Sequence, residues 1–191
     1  MNSDVKDKIN KPSARDRYFG ALFVLAAVAA QELAMGNAAL LLSVGLVMAY
    51  VLWVGTRWAD SPGDVLPMTL LAIAVQCVHF TEEYLTGFQC RFPLLMGYVW
   101  SDARFLTFNM TWLAIFVLAA LGVYRRVALA YLVILFLALA GGLGNGIGHL
   151  LLCVRQGGYF PGAITAPICL LVGIGLLAKL FGRSSVPQGQ D

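Results

Sequence analysis

VALAYLVILFLALAGGLGNGIGHLLLCV, residues 127–154, carries no Asp, Glu, Lys or Arg and a single histidine. A bilayer's hydrocarbon is crossed by about 20 apolar residues of helix, so this stretch is long enough to span. Arg125 and Arg126 close it on one side, and beyond them the same kind of block recurs. Spans are predicted at 18–35, 38–56, 65–87, 105–124, 127–154 and 161–181. The expected fold is therefore all-α, a polytopic transmembrane helical bundle of about six helices. Composition agrees: the 191 residues are 60% hydrophobic and 12% charged, where a soluble domain carries roughly 25% charged residues. That excludes a soluble globular enzyme and a disordered chain. The net charge of +3 is spread over termini and short loops, which leaves no nucleic-acid footprint.

The flanks divide the chain into a basic tail at 1–17, a transmembrane domain at 18–183 and a polar tail at 184–191. On alternating sides, one face collects ten Lys and Arg and the other three: Arg91, Arg104 and Arg155. The positive-inside rule then puts both termini in the cytoplasm. A rival reading takes 1–29 as a signal peptide ending at Ala27-Val28-Ala29, without reversing the remaining helices. The longest loop, 88–104, holds Phe92, Pro93, Gly97, Tyr98 and Trp100, a composition suited to the headgroup level. Trp53, Trp58, Trp100 and Trp112 read as belt residues near span ends, and Pro67 and Pro161 as first-turn prolines. The pairs Gly142/Gly146 and Gly144/Gly148 read as helix-packing surfaces, and the glycines of this run could also let a ligand approach the backbone beside Asn145. Cys90 and Cys153 fall on the outer side, where a disulfide can form.

The polar census points to function. All three glutamates (Glu32, Glu82, Glu83) and both histidines (His79, His149) fall inside predicted spans. Each costs on the order of 2.5 to 3.5 kcal/mol in hydrocarbon even on lenient scales, so such groups face the bundle interior and mark functional sites. They lie in the outer halves of their helices, together with Gln31, Gln76, Asn109 and Asn145. At 1.5 Å per residue, His79 and His149 sit roughly 12 and 7.5 Å below their helix ends, within reach of each other. His79, Glu82 and Glu83, at i, i+3 and i+4, share one face of one turn.

The run His79-Phe80-Thr81-Glu82-Glu83 is an H-x-x-E-E motif, followed by Tyr84, Gly87, Phe88 and Pro93. Further on come Asn109, Asn145-Gly146-Ile147-Gly148-His149 and Tyr159-Phe160-Pro161-Gly162. Over about 70–182 the chain resembles the HXXEE family of small bacterial membrane proteins. That family is defined by its motif and not by a reaction, so the resemblance implies where the site is and leaves its chemistry open. The first two helices lie outside the pattern, and Glu32 inherits no role from it.

Two readings of the chemistry stand side by side. In the first, His79, Glu82, Glu83 and His149 supply ligands for zinc or non-haem iron, with Asn145 orienting a ligand or bound water. In the second, no metal is needed: a buried glutamate and a histidine move protons in an isoprenoid or sterol-like substrate, as an isomerase or cyclase would. Either way the substrate is a lipophilic molecule entering from the outer leaflet of a bacterial inner membrane, with His79, Glu82, Glu83, His149 and Asn145 as catalytic candidates. Asn109, Glu32, Tyr159 and Trp112 are the candidates for contact with substrate. A proton- or cation-coupled transporter is a third expectation. Pure packing is a fourth, though interhelical hydrogen bonds return only about 0.6 kcal/mol each.

Overall fold

The computed structural model describes residues 11–56 and 62–182. All the regular structure there is helical: α1 (Ala14–Met35), α2 (Leu40–Gly55), α3 (Pro62–Leu85), α4 (Phe88–Leu95), α5 (Asp102–Tyr124), α6 (Ala128–Phe136), α7 (Asn145–Gln156) and α8 (Ala166–Phe181). A π-helical segment, Leu137–Gly144, joins α6 to α7. Four runs are long and apolar enough to cross a membrane: 14–55, 62–85, 102–124 and 128–156. The first folds back on itself at Gly36, and α8 is a shorter apolar helix of 16 residues. Parts of the predicted basic tail, Arg57, Trp58 and the polar tail after 182 lie outside the described residues.

Local chemistry sets the element boundaries. Ser13 opens α1 with a capping box: its hydroxyl accepts from the Asp16 N–H at 3.1 Å, while the Asp16 carboxylate accepts from the Ser13 N–H at 2.9 Å. Gly36 turns the chain at φ +64°, and a Cβ there would meet the Tyr98 ring. The hairpin it makes is antiparallel, since the Tyr50 hydroxyl near the end of α2 donates to the Arg17 carbonyl at the start of α1.

The stretch 127–154 is the central post. Every residue from Ala130 to Phe136 is buried, and α2, α5 and the π-helical segment pack around α6. α8 lies along the π-helical segment, where Gly142 and Gly173 bring two backbones so close that a Cβ on either would collide with the other. Half of the glycine run packs as predicted: Gly142 on Gly173 and Gly146 on Leu170. Gly148 has nothing within 4 Å of its Cβ position.

Three boundary expectations are corrected. α3 begins at Pro62, so Pro67 stands six residues in, and Pro62 takes the tolerated first position. α8 begins at Ala166, so Pro161 is not its first-turn proline; 157–165 instead dips into the bundle as irregular backbone, with Phe160, Pro161, Gly162 and Thr165 buried. Non-helical backbone is tolerated at such depth because protein covers it. The segment 88–101 likewise folds inward as α4 and its exit, stacking Phe88 on Phe92 at 4.8 Å. Trp53, Trp100 and Trp112 are buried and do not form a belt. The Trp53 and Trp100 indole N–H groups donate to the carbonyls of Ala128 and Met35, which satisfies them inside the protein. The four cysteines are free, so Cys90 and Cys153 are not bridged.

Candidate metal centre

Glu83 lies in the last turn of α3 with His79 one turn before it, and His149 lies in the second turn of α7. His79 and Glu83 project from α3 and His149 from α7, all three buried. The two imidazoles meet edge to face with centroids 4.8 Å apart, and Phe88 of α4 covers His149 at 5.2 Å. Glu83 Oε1 lies 3.1 Å from His149 Nε2 and 3.6 Å from His79 Nε2. One potential ligand atom from each of the three residues lies within 4.8 Å of the other two. Metal bonds of about 2.1 Å at a tetrahedral angle separate neighbouring ligand atoms by roughly 3.4 Å, so two edges of the triangle already have the needed size.

The opposite edges of the imidazoles determine which nitrogens carry protons. His149 Nδ1 is 2.6 Å from the carbonyl oxygen of Pro161, which can only accept, so Nδ1 carries the hydrogen. His79 Nδ1 is 2.7 Å from Thr165 Oγ1, whose own proton goes to Glu82 Oε2 at 2.6 Å; the hydroxyl therefore accepts from His79. In the neutral rings both Nε2 atoms are then bare lone pairs turned toward a carboxylate. This is the outer arrangement by which proteins orient metal-binding histidines: the far ring N–H is held by a carbonyl or a carboxylate-linked group.

Glu82 does not join the cluster. Its Oε1 accepts from the Tyr159 hydroxyl at 2.8 Å and the Ile164 N–H at 2.9 Å, and its Oε2 from the Thr165 N–H at 2.8 Å and the Thr165 hydroxyl. It pins the 159–165 segment that carries both Nδ1 partners. A Cβ on Gly162, which sits at φ +89°, would run into the His149 ring. Sequence reasoning missed Thr165 and the Pro161 carbonyl. A threonine just before a helix ordinarily reads as a cap, and a backbone carbonyl leaves no residue-type signal.

A cavity of about 510 Å³ opens beside the cluster, with Glu83 and His149 in its wall. Asn109, Asn145 and Trp112 line it as well, and the Asn109 amide nitrogen is buried without a partner. Trp112 stacks there on Phe116 at 5.6 Å and meets Phe136 at a tilt at 4.6 Å. Glu32 and Gln31 belong elsewhere, for both meet the Ser43 hydroxyl inside the α1–α2 hairpin at 2.6 and 2.8 Å. Gln76 is buried within reach of the Cys169 thiol on α8.

The fold and this cluster together define a helical-bundle membrane protein with two histidines and one carboxylate converging in its interior. More particularly, the chain belongs to the family described as "Protein of unknown function with HXXEE motif", which matches residues 70–176. No curated protein and no solved structure matches the chain.

Proposed function

We propose that this protein is a membrane-embedded, metal-dependent enzyme that modifies a lipophilic substrate, such as a lipid or isoprenoid, in the inner membrane of a bacterium. The supporting observation is the 3.1 Å approach of His149 Nε2 to Glu83 Oε1, two atoms that both act as acceptors when the ring is neutral and the acid ionised. Such a contact needs a proton or a cation between its partners. One proton satisfies one pair and leaves His79 Nε2, which is buried without a hydrogen bond, still unpartnered. One metal ion satisfies all three. Two neutral imidazoles and one carboxylate are the ligand set of catalytic zinc and of non-haem iron sites, both of which keep coordination positions open.

When bound, zinc would supply an activated water for hydrolysis, and iron would supply oxidation chemistry. The chain's own groups do the rest. Thr165 and the Pro161 carbonyl hold the two rings in register through Nδ1, and Glu82 anchors both supports. Phe88 and the buried Phe160, Pro161, Gly162 and Thr165 keep bulk water from the cluster, and the cavity presents an apolar molecule to Glu83 and His149. Asn109 and Asn145 lie on the same wall as polar contacts for its reactive end.

Metal analysis of the purified full-length protein tests this reading. The expected result is about one zinc or iron per chain, lost in His79→Ala and His149→Ala variants. A metal-free protein that still turns over an isoprenoid would instead favour the acid/base reading, with the 3.1 Å contact bridged by a proton. Proton-coupled uptake into liposomes by metal-free protein would favour transport.

A further inference from the structure

We infer that the cavity takes a single neutral lipid molecule, one hydrocarbon chain with a small oxygen-bearing head such as an alcohol, aldehyde or ester, which enters sideways from the bilayer between α2 and α7. This names the substrate class and its route, and it rests on the enzymatic reading of the cluster. The route follows from residues that line the cavity and also face outward. On α2 these are Leu41, Val44 and Met48, exposed by 70, 48 and 51%, and on α7 Ile147 and Leu151, exposed by 49 and 62%. Their spacings, i, i+3, i+7 on one helix and i, i+4 on the other, put each set on one face, so they form the two rims of a slot. α2 packs on α6 and the π-helical segment while α7 packs on α8, and the two helices are not a packed pair. The slot closes below, where Gly45 rests against Ala140 and Phe136.

The floor of the slot is backbone. Gly144 and Gly148 both line the cavity, and none of the described residues fills the space beside Gly148. Two glycines one turn apart that pack against no helix leave room for a chain to lie along α7. The head belongs at the other end. Glu83, His149, Asn145 and Asn109 cluster near the outer end of the cavity, whereas Phe116 lies seven residues, roughly 10 Å, deeper along α5 than Asn109. Gln76, the polar lining residue farther down α3, is already in contact with Cys169. Neutrality follows from the wall, which among the described residues contains no Lys or Arg to receive a phosphate. The volume lies within the roughly 300 to 1,000 Å³ of small-molecule pockets.

Fluorescence quenching of the full-length protein in lipid nanodiscs tests this, with a dibrominated long-chain alcohol and its phosphate monoester as probes. The expected result is saturable quenching by the alcohol of a component that is absent from a Trp112→Phe variant, with the monoester at least ten-fold weaker. Val44→Phe on the α2 rim and Gly148→Leu on the floor should each raise the half-saturating alcohol concentration at least ten-fold. Non-saturable quenching, equal quenching by the monoester, or unchanged saturation in both of these variants overturns the inference. Metal content measured on the same samples keeps the two proposals apart. Bound metal without saturable quenching sinks this inference alone, whereas saturable quenching of a protein that binds no metal supports it and sinks the metal-dependent reading.

Discussion

At the scale of single residues, the cluster is organised by what stands behind it. Each imidazole spends Nδ1 on a support from one short segment, and that leaves Nε2 for the ligand. Thr165→Val removes the hydroxyl that accepts from His79 and donates to Glu82. Groups in this position typically contribute 10- to 100-fold to metal affinity, so titration with a competing chelator should show a loss of that order with the fold intact. Glu83→Gln should lose more, because it takes away the only carboxylate of the triangle. Gly162→Ala places a methyl group against the His149 ring at a backbone angle that disfavours any side chain. A destabilisation of about 1 to 3 kcal/mol is expected, read as a lower thermal midpoint in detergent together with lower metal occupancy. A midpoint unchanged in Gly162→Ala would mean that the segment does not bear on the ring.

At the scale of elements, the 157–165 segment is the least regular part of the bundle and the one most tied to the site. Glu82 fastens it through four hydrogen bonds. Glu82→Gln keeps the size but exchanges one of the two carboxylate acceptors for a donor, which at either position faces one backbone N–H and one hydroxyl that now donate to the carboxylate. Hydrogen exchange at residues 160–165 should then accelerate while α3 and α6 remain protected, and metal affinity should fall along with it. Equal exchange in the variant and the parent would remove Glu82 from this role. The H-x-x-E-E spacing was readable before any coordinates, but it left the two glutamates equivalent. Adjacent positions on a helix point about 100° apart, and only the placement of α7 and α8 decides that Glu83 meets the histidines while Glu82 meets the strap. The glycine run divides in the same way. Its periodicity marks two small faces, and the partner helix α8 takes one of them and leaves the other open.

At the scale of the whole molecule, the apolar blocks, their number and the hairpin connections were legible because each helix satisfies its own backbone in lipid, whatever its neighbours do. The Lys and Arg asymmetry carries a further prediction. Cys90, exposed on α4, the helix whose Phe88 covers His149, should react with a membrane-impermeant maleimide applied to intact spheroplasts. Labelling confined to inverted vesicles would reverse the proposed orientation.

The inward fold of 88–101 and of 157–165 was not legible, since aromatic and proline-rich loops have the same composition whether they lie at a headgroup or plug a bundle. Nor was the fate of Glu32, which shares its depth with the other acids yet bonds to Ser43 within the hairpin. The amino-acid sequence by itself determined a membrane-spanning helical bundle and the short roster of residues too costly to bury without purpose, because hydropathy and ionisation are properties of each residue. Which of those residues meet, which nitrogen each histidine offers and where the cavity opens were decided only by the tertiary structure, because they depend on how helices distant in the chain are rotated against one another.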